Sequence, residues 1–164
     1  MLRSLVGSEM CIRDRFDDEM RAAAQEKGYS VRDIVIIASM IEKETDGTDQ
    51  AHIASVIYNR LTNTSAETVG LLGIDATLVY ALGRPITQDD YQTADTPYNT
   101  YKYQGLPPGP ISNPGMVAIR AAMNPDSTSD YYYVLGNDGK HHFFKTLKGQ
   151  QDFIAQQQAE KRSG

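Results

Sequence analysis

The feature that most constrains the fold is the segment VRDIVIIASMIEKET, residues 31–45, which has the pattern of a helix that is apolar over most of its circumference. At about 100° per residue, the polar residues Arg32, Ser39 and Lys43 share one narrow sector, and apolar side chains fill most of the remainder. Such a helix is stable only when other elements cover it on nearly all sides. The sequence therefore predicts that this helix lies at the centre of the domain.

The remaining pattern indicates an α+β domain. Two aromatic segments, 131–135 and 141–145, flank Gly136-Asn137-Asp138-Gly139, which predicts a β-hairpin. Further helices are predicted over 19–27, 50–61, 76–82 (with Asp75 as the N-cap candidate) and 114–123, and a polar, Gln-rich helix from Thr146. Strands and helices do not alternate, so nothing in the pattern indicates a Rossmann-type parallel sheet. We expect one mainly helical domain with a small antiparallel sheet.

An irregular segment interrupts these elements. Residues 92–113 show no helical or strand period and contain four of the seven prolines. A structureless stretch of this length inside a compact domain is typical of a functional lid or binding loop. The segment is therefore a candidate for ligand binding.

Composition excludes several classes of protein. The chain has 16 Lys and Arg against 21 Asp and Glu, a net charge of −5, which argues against nucleic acid as the main partner. No apolar run approaches the roughly 20 residues that a membrane-spanning helix needs. Cys11 is the single cysteine, and no Cys/His cluster has zinc-ligand spacing, so neither an intramolecular disulfide nor a metal is expected. No Gly-rich phosphate loop is present, and no cofactor is expected.

Residues 1–15 do not fit the rest of the chain. MLRSLVGSEMCIRDR has no structural period and no signal-peptide layout, and SLVGSEMCIRDR resembles a translated sequencing-adaptor fragment. We expect residues 1–15 to be non-native or disordered, and residues 16–164 to form the domain.

Two glutamates stand on the last turn of the central helix. On a helical wheel, Glu44 and Glu42 both border apolar side chains but diverge by about 160°, so they cannot act as a close pair. A carboxyl beside apolar side chains at a helix C-terminus has its charged form disfavoured, which raises its pKa. A general acid for a glycosidic oxygen needs such a pKa. The alternative is an exposed glutamate paired with Lys43 or Arg60, and the pattern does not decide between them.

Several blocks of the sequence resemble the endolytic murein transglycosylase family, the YceG-like proteins. The blocks are ASMIEKET, VIYNRL, Asp75-Ala76-Thr77, TPYNTYKYQGLPPGPISNPG and HHFFKT, in the family's order from about Ile34 to Thr146. The family usually carries Asp-Pro-Thr at the third block. The resemblance implies a catalytic domain with a lysozyme-like cleft over residues 16–164, without the membrane anchor and LysM-like domain that precede it in the family.

The resemblance also implies a reaction. The second Glu of EKET, Glu44, is the acid and base that cleaves the β-1,4 bond between N-acetylmuramic acid and N-acetylglucosamine within glycan strands, leaving a 1,6-anhydromuramoyl end. One carboxyl suffices for this lyase chemistry, whereas a muramidase-type hydrolase needs a second at about 5 Å (retaining) or about 6.5–9.5 Å (inverting). Asp75 is the candidate for that second carboxyl. A non-catalytic glycan-binding fragment is the third alternative.

The same family match implies the residues that bind substrate. They are Asn59, Arg60, Asp75, Thr77, Tyr98, Asn99, Tyr101 and His141. Tyrosine faces can pack on pyranose rings, and polar side chains can hydrogen-bond N-acetyl groups. Alternatives stay open: the tyrosines cover the core, Asp75 caps its helix, and Arg60 pairs with a glutamate. His141 and His142 are adjacent on a strand and point to opposite faces, which disfavours a shared metal.

The expected partners and location follow from the family as well. The partner is the peptidoglycan glycan strand, and peptidoglycan synthesis enzymes are expected nearby. Relatives act on the extracytoplasmic face of the bacterial membrane through a single-pass anchor. We expect this chain, without that anchor, to be a soluble monomer.

Overall fold

The structure is a computed structural model that describes residues 18–45 and 47–163. The segment 1–15, expected to be non-native, lies outside these residues. In chain order the described elements are α1 (Asp18–Glu26), α2 (Val31–Glu44), α3 (Gln50–Thr62), α4 (Asp75–Leu82), α5 (Asp90–Thr93), α6 (Met116–Met123), β1 (Tyr132–Leu135), β2 (His141–Phe144) and α7 (Leu147–Ser163).

Helix α2 lies at the centre of the core, as predicted. Ser30 caps it in a reciprocal pair: its Oγ accepts from the Asp33 amide at 3.1 Å, and its own amide donates to the Asp33 carboxylate at 2.9 Å. Every residue from 34 to 41 is buried, and helices α3 and α6 pack against α2. Each fully buried isoleucine contributes about 1.5–3 kcal/mol relative to an exposed one. Burial of α2 therefore contributes strongly to the stability of the domain.

The narrow polar sector of α2 receives the irregular segment. Ser39 is completely buried, and its Oγ accepts from the Ile111 amide at 3.0 Å. About two turns closer to the N-terminus of α2, Arg32 Nη2 donates to the Pro108 carbonyl at 2.8 Å. Residues 94–115, called the proline loop below, contain no helix or strand. Ser39 and Arg32 therefore attach the proline loop to α2 by hydrogen bonds to its backbone.

The two strands form an antiparallel sheet in which Tyr132 pairs with Phe144 and Leu135 with His141. Helix α7 packs against both strands. The predicted α+β class, with mainly helices and one hairpin, is confirmed. In the described part of the chain, no helix is both long enough and apolar enough to cross a membrane.

Helix α6 begins two residues later than predicted. Gly115, rather than a residue before Pro114, occupies the N-cap position, and the helix runs from Met116 to Met123. The Gly115 amide instead donates to Glu42 Oε2 at 3.3 Å. Glu42 is exposed, and its carboxylate lies beside the N-terminal end of α6.

Candidate active site

A cleft of about 480 Å³ lies at the C-terminal end of α2, where strand β1 and the segment 63–74 approach it. Four of the residues predicted for the site line it together: Glu44, Arg60, Asp75 and Tyr101. They come from α2, α3, α4 and the proline loop, so the tertiary fold alone brings them together.

Glu44 is the half-buried carboxyl of this cleft. Its Oε2 accepts a hydrogen bond from the Tyr133 hydroxyl at 2.7 Å. Burial raises the pKa of Glu44 above its ordinary value; the Tyr133 hydrogen bond opposes this, and the negative charge of Asp75 reinforces it. His141 and Arg60 lower the pKa by smaller amounts. The net direction is upward, which favours the protonated acid.

Tyr133 is a site residue that the sequence reasoning missed. It lies on β1, and burial followed by the charge of Glu44 raises its pKa well above the ordinary value. The phenol therefore stays protonated and acts as a donor to Glu44. The available signal was the run of three tyrosines at the start of the predicted hairpin, but nothing local connects it with α2.

Asp75 does not cap helix α4, so that alternative is wrong. Ile74 occupies the N-cap position, no side chain caps the helix, and Asp75 is its first residue. The carboxylate accepts instead from the Tyr101 hydroxyl at 2.5 Å and from the Tyr91 hydroxyl at 3.4 Å. The two rings contact each other edge to face at 4.6 Å. Two phenols thus orient an exposed carboxylate at the rim of the cleft.

Arg60 forms no ion pair with Glu44, which removes another alternative. Its Nε donates to the Tyr131 carbonyl at 2.6 Å, and its Nη1 donates to the Leu72 carbonyl. Burial lowers the pKa of Arg60. The guanidinium therefore links the residue before β1 to the segment 63–74, while its charge acts on Glu44 only from a distance.

Two predicted site residues, Thr77 and Asn99, are completely buried. Thr77 Oγ1 donates to the Ile74 carbonyl at 2.7 Å, and Asn99 Nδ2 donates to the Ala94 carbonyl at 2.9 Å. Asn99 Oδ1 also accepts from the Tyr101 amide at 3.1 Å. Neither side chain is accessible to a ligand, because both are fully buried. Both shape the backbone that carries Asp75 and Tyr101.

Asn59 and Tyr98 lie outside the cleft. Asn59 Nδ2 donates to the carbonyls of Thr128 at 3.1 Å and Asp130 at 3.0 Å, and the residue lines a different cavity. Tyr98 is half-buried against the core and packs on Tyr80, with 5.2 Å between the two ring centroids. For Tyr98, the geometry matches the alternative of a core-covering tyrosine.

His141 lies behind Tyr133, with the two rings edge to face at 5.7 Å. Its Nδ1 is 2.6 Å from Asp49 Oδ2, and Asp49 Oδ1 accepts from the Thr45 hydroxyl at 2.7 Å. Because Thr45 directly follows Glu44, this chain of contacts anchors the end of α2. His142 points to the other face, toward Asp138 at 3.1 Å. Within 18–45 and 47–163, no cluster of three or more His, Cys, Asp or Glu side chains could hold a metal.

The fold and the sequence match known proteins. A solved structure described as a YceG-like protein from Listeria monocytogenes superposes with a TM-score of 0.72 and 39% identity, over 82% of this chain and 43% of that one. The sequence profile of the YceG-like family matches residues 6–156. The chain therefore belongs to the YceG-like family.

Two similar proteins carry the name endolytic murein transglycosylase. The protein from Bacillus subtilis is 43% identical over 122 residues, which is 73% of this chain and 32% of that protein. A protein from Streptococcus pneumoniae is 31% identical over 141 residues, which is 81% of this chain and 25% of that protein. The chain thus spans a third or less of the length of these relatives.

Proposed function

We propose that residues 16–164 form the catalytic domain of an endolytic peptidoglycan lytic transglycosylase. It cleaves the β-1,4 bond between N-acetylmuramic acid and N-acetylglucosamine within glycan strands and leaves a 1,6-anhydro-N-acetylmuramic acid end. The observation that carries the proposal is Glu44, a half-buried carboxyl with a raised pKa that faces a cleft. The names of the relatives support the substrate class.

In the first step, Glu44 is the general acid. Tyr133 donates to Oε2, which leaves Oε1 to carry the proton toward the glycosidic oxygen. The bond between C1 of N-acetylmuramic acid and O4 of N-acetylglucosamine breaks. The bonding electron pair leaves with O4, which takes the proton from Glu44, and positive charge develops at C1.

In the second step, Glu44 is the general base. As a carboxylate it takes the proton from the C6 hydroxyl of N-acetylmuramic acid while O6 closes onto C1. This forms the 1,6-anhydro ring and returns Glu44 to its acid form without consuming water. The nucleophile belongs to the substrate, so no second carboxylate of the enzyme has to form a bond.

Asp75 supports this chemistry through its charge. Held by Tyr101 and Tyr91, its carboxylate raises the pKa of Glu44 and is suited to stabilise positive charge at C1. Tyr101 and Arg60 line the same cleft and are the proposed substrate contacts beside it. His141 acts indirectly, by anchoring the end of α2.

A muramidase-type hydrolase is the second candidate, because Asp75 lines the same cleft as Glu44. In that reaction Asp75 would act as a nucleophile or activate water. Mass spectrometry of digested peptidoglycan separates the two: anhydro ends are lighter by one water than hydrolysed ends. Anhydro products support the transglycosylase, and reducing ends that take up oxygen-18 from labelled water support the hydrolase.

The proposed setting is that of the family. The substrate is the peptidoglycan of the bacterial wall, and the site of action is the extracytoplasmic face of the membrane. Proximity to peptidoglycan synthesis enzymes is part of the same proposal. Pull-down of such enzymes with the full-length protein would test it.

A further inference from the structure

A second cavity, of about 490 Å³, lies within the proline loop and takes no part in the mechanism above. Tyr103 and Gln104 line it between two prolines, Pro97 and Pro108. Prolines restrict the unliganded loop, so little conformational freedom is lost when a ligand binds.

The Tyr103 ring is exposed yet held in place. It is 42% exposed, and its hydroxyl donates to Asp95 Oδ1 at 2.6 Å. The Lys102 ammonium binds the same carboxylate oxygen at 3.0 Å and lies 5.4 Å from the ring centroid. An aromatic ring fixed at its polar end, with open surface, is suited to pack against the apolar C–H face of a pyranose.

This cavity adjoins the catalytic cleft. Gln104, which lines the cavity, donates through Nε2 to the carbonyl of Val69, which lines the cleft, at 2.5 Å. Val69 has a φ of +46°, an uncommon value for a β-branched residue. Its amide also donates to the Ala66 carbonyl at 2.9 Å. The contact between Gln104 and Val69 thus joins the wall of one cavity to the wall of the other.

We propose that the cavity around Tyr103 is a distal saccharide subsite that binds the part of a glycan strand extending beyond the catalytic cleft. The proposal rests on the proposed function, because a strand cut at an internal bond continues past the cleaved sugars on both sides. The strand passes Val69 and Gln104 and stacks a pyranose ring on Tyr103. The subsite therefore selects for length rather than for the cleaved bond.

The test compares Tyr103→Ala with Tyr103→Phe on two substrates, which are long peptide-free glycan strands and a tetrasaccharide from the same peptidoglycan. On long strands, Tyr103→Ala should lower kcat/KM by about five- to tenfold, the loss expected for one aromatic stacking contact. On the tetrasaccharide it should match the wild type, because the proposal places Tyr103 beyond the sugars that occupy the catalytic cleft. Tyr103→Phe keeps the ring face but loses the hydrogen bond to Asp95, so on long strands its rate should lie between those of Tyr103→Ala and the wild type, and on the tetrasaccharide it should match the wild type.

Three results would overturn the subsite: equal activity of Tyr103→Ala and wild type on long strands, equal slowing on both substrates, or Tyr103→Phe as slow as Tyr103→Ala. Binding separates this failure from failure of the proposed function. In a Glu44→Gln background, the dissociation constant for long strands should rise with Tyr103→Ala, and that for the tetrasaccharide should not. If the wild type cuts neither substrate while this binding pattern holds, the proposed reaction is wrong and the subsite stands.

Discussion

The Tyr133 hydroxyl donates to the Glu44 carboxylate across 89 positions of sequence and holds Oε2 at 2.7 Å. This hydrogen bond joins strand β1 of the hairpin to the C-terminal end of the central helix α2. It also works against the burial that raises the pKa of Glu44. Tyr133 therefore orients the Glu44 carboxyl and limits the rise of its pKa.

Tyr133→Phe is expected to raise the pKa of Glu44 further, because a hydrogen bond to a carboxylate favours the charged form. The basic limb of the pH profile of kcat/KM, which follows loss of the Glu44 proton in the free enzyme, should shift to higher pH. The maximum rate should fall by about tenfold as the carboxyl loses its orientation. Profiles that superimpose would exclude this role for Tyr133.

Asp75→Asn should shift the same limb in the opposite direction. The charge of Asp75 raises the pKa of Glu44, so a neutral amide lowers it and the basic limb moves to lower pH. We expect kcat/KM to fall by about a hundredfold, the lower end of the range for removal of one preorganised electrostatic contact to the transition state. Complete loss of turnover, together with hydrolysed ends from the wild type, would favour Asp75 as a catalytic partner.

Glu44→Gln should stabilise the fold increasingly as the pH rises. The folded pKa of Glu44 lies above the unfolded one, so the folded state binds more protons and the wild type loses stability as pH climbs from the ordinary pKa toward the raised one. The glutamine variant lacks this loss. Urea unfolding of both chains at about pH 4 and about pH 7.5 measures it. A stability difference that stays constant between the two conditions contradicts the raised pKa.

Val69→Gly should raise the free energy of unfolding by about 0.5–1 kcal/mol, because glycine adopts the left-handed conformation without strain. Val79→Gly is the matched control. Val79 is a similarly exposed valine, 42% against 49%, but it lies inside helix α4, where glycine costs about 0.5–1 kcal/mol. Urea unfolding midpoints for both variants check the pair. Destabilisation of similar size in both would contradict the strain at Val69.

Much of the scaffold could be predicted because its causes are local. The apolar circumference of α2 requires burial, and Ser30 with Asp33 marks where the helix begins. The turn Gly136–Gly139 between aromatic segments predicts the hairpin. Each of these inferences uses residues within one helix or one hairpin, whose geometry the chain itself imposes.

The site was only partly predictable because its contacts are distant in sequence. Glu44, Arg60, Asp75 and Tyr101 line one cleft, but no local pattern distinguishes them from Thr77 and Asn99, which the fold buries. A polar residue in a family block serves equally to bind a ligand or to satisfy a buried backbone group. Tyr133 was missed for the same reason, since only the docking of the hairpin on α2 brings it to Glu44.

The central claim is that Glu44 alone supplies and recovers the proton, and the rate of glycan cleavage by Glu44→Gln beside Glu42→Gln tests it most directly. Glu42 stands two residues away on the same helix turn and is exposed, and its carboxylate accepts a hydrogen bond from the Gly115 amide at 3.3 Å. We expect Glu44→Gln to abolish release of anhydro-ended fragments while its circular dichroism stays unchanged, and Glu42→Gln to keep most of the wild-type rate. Equal activity of the two folded variants would contradict the claim.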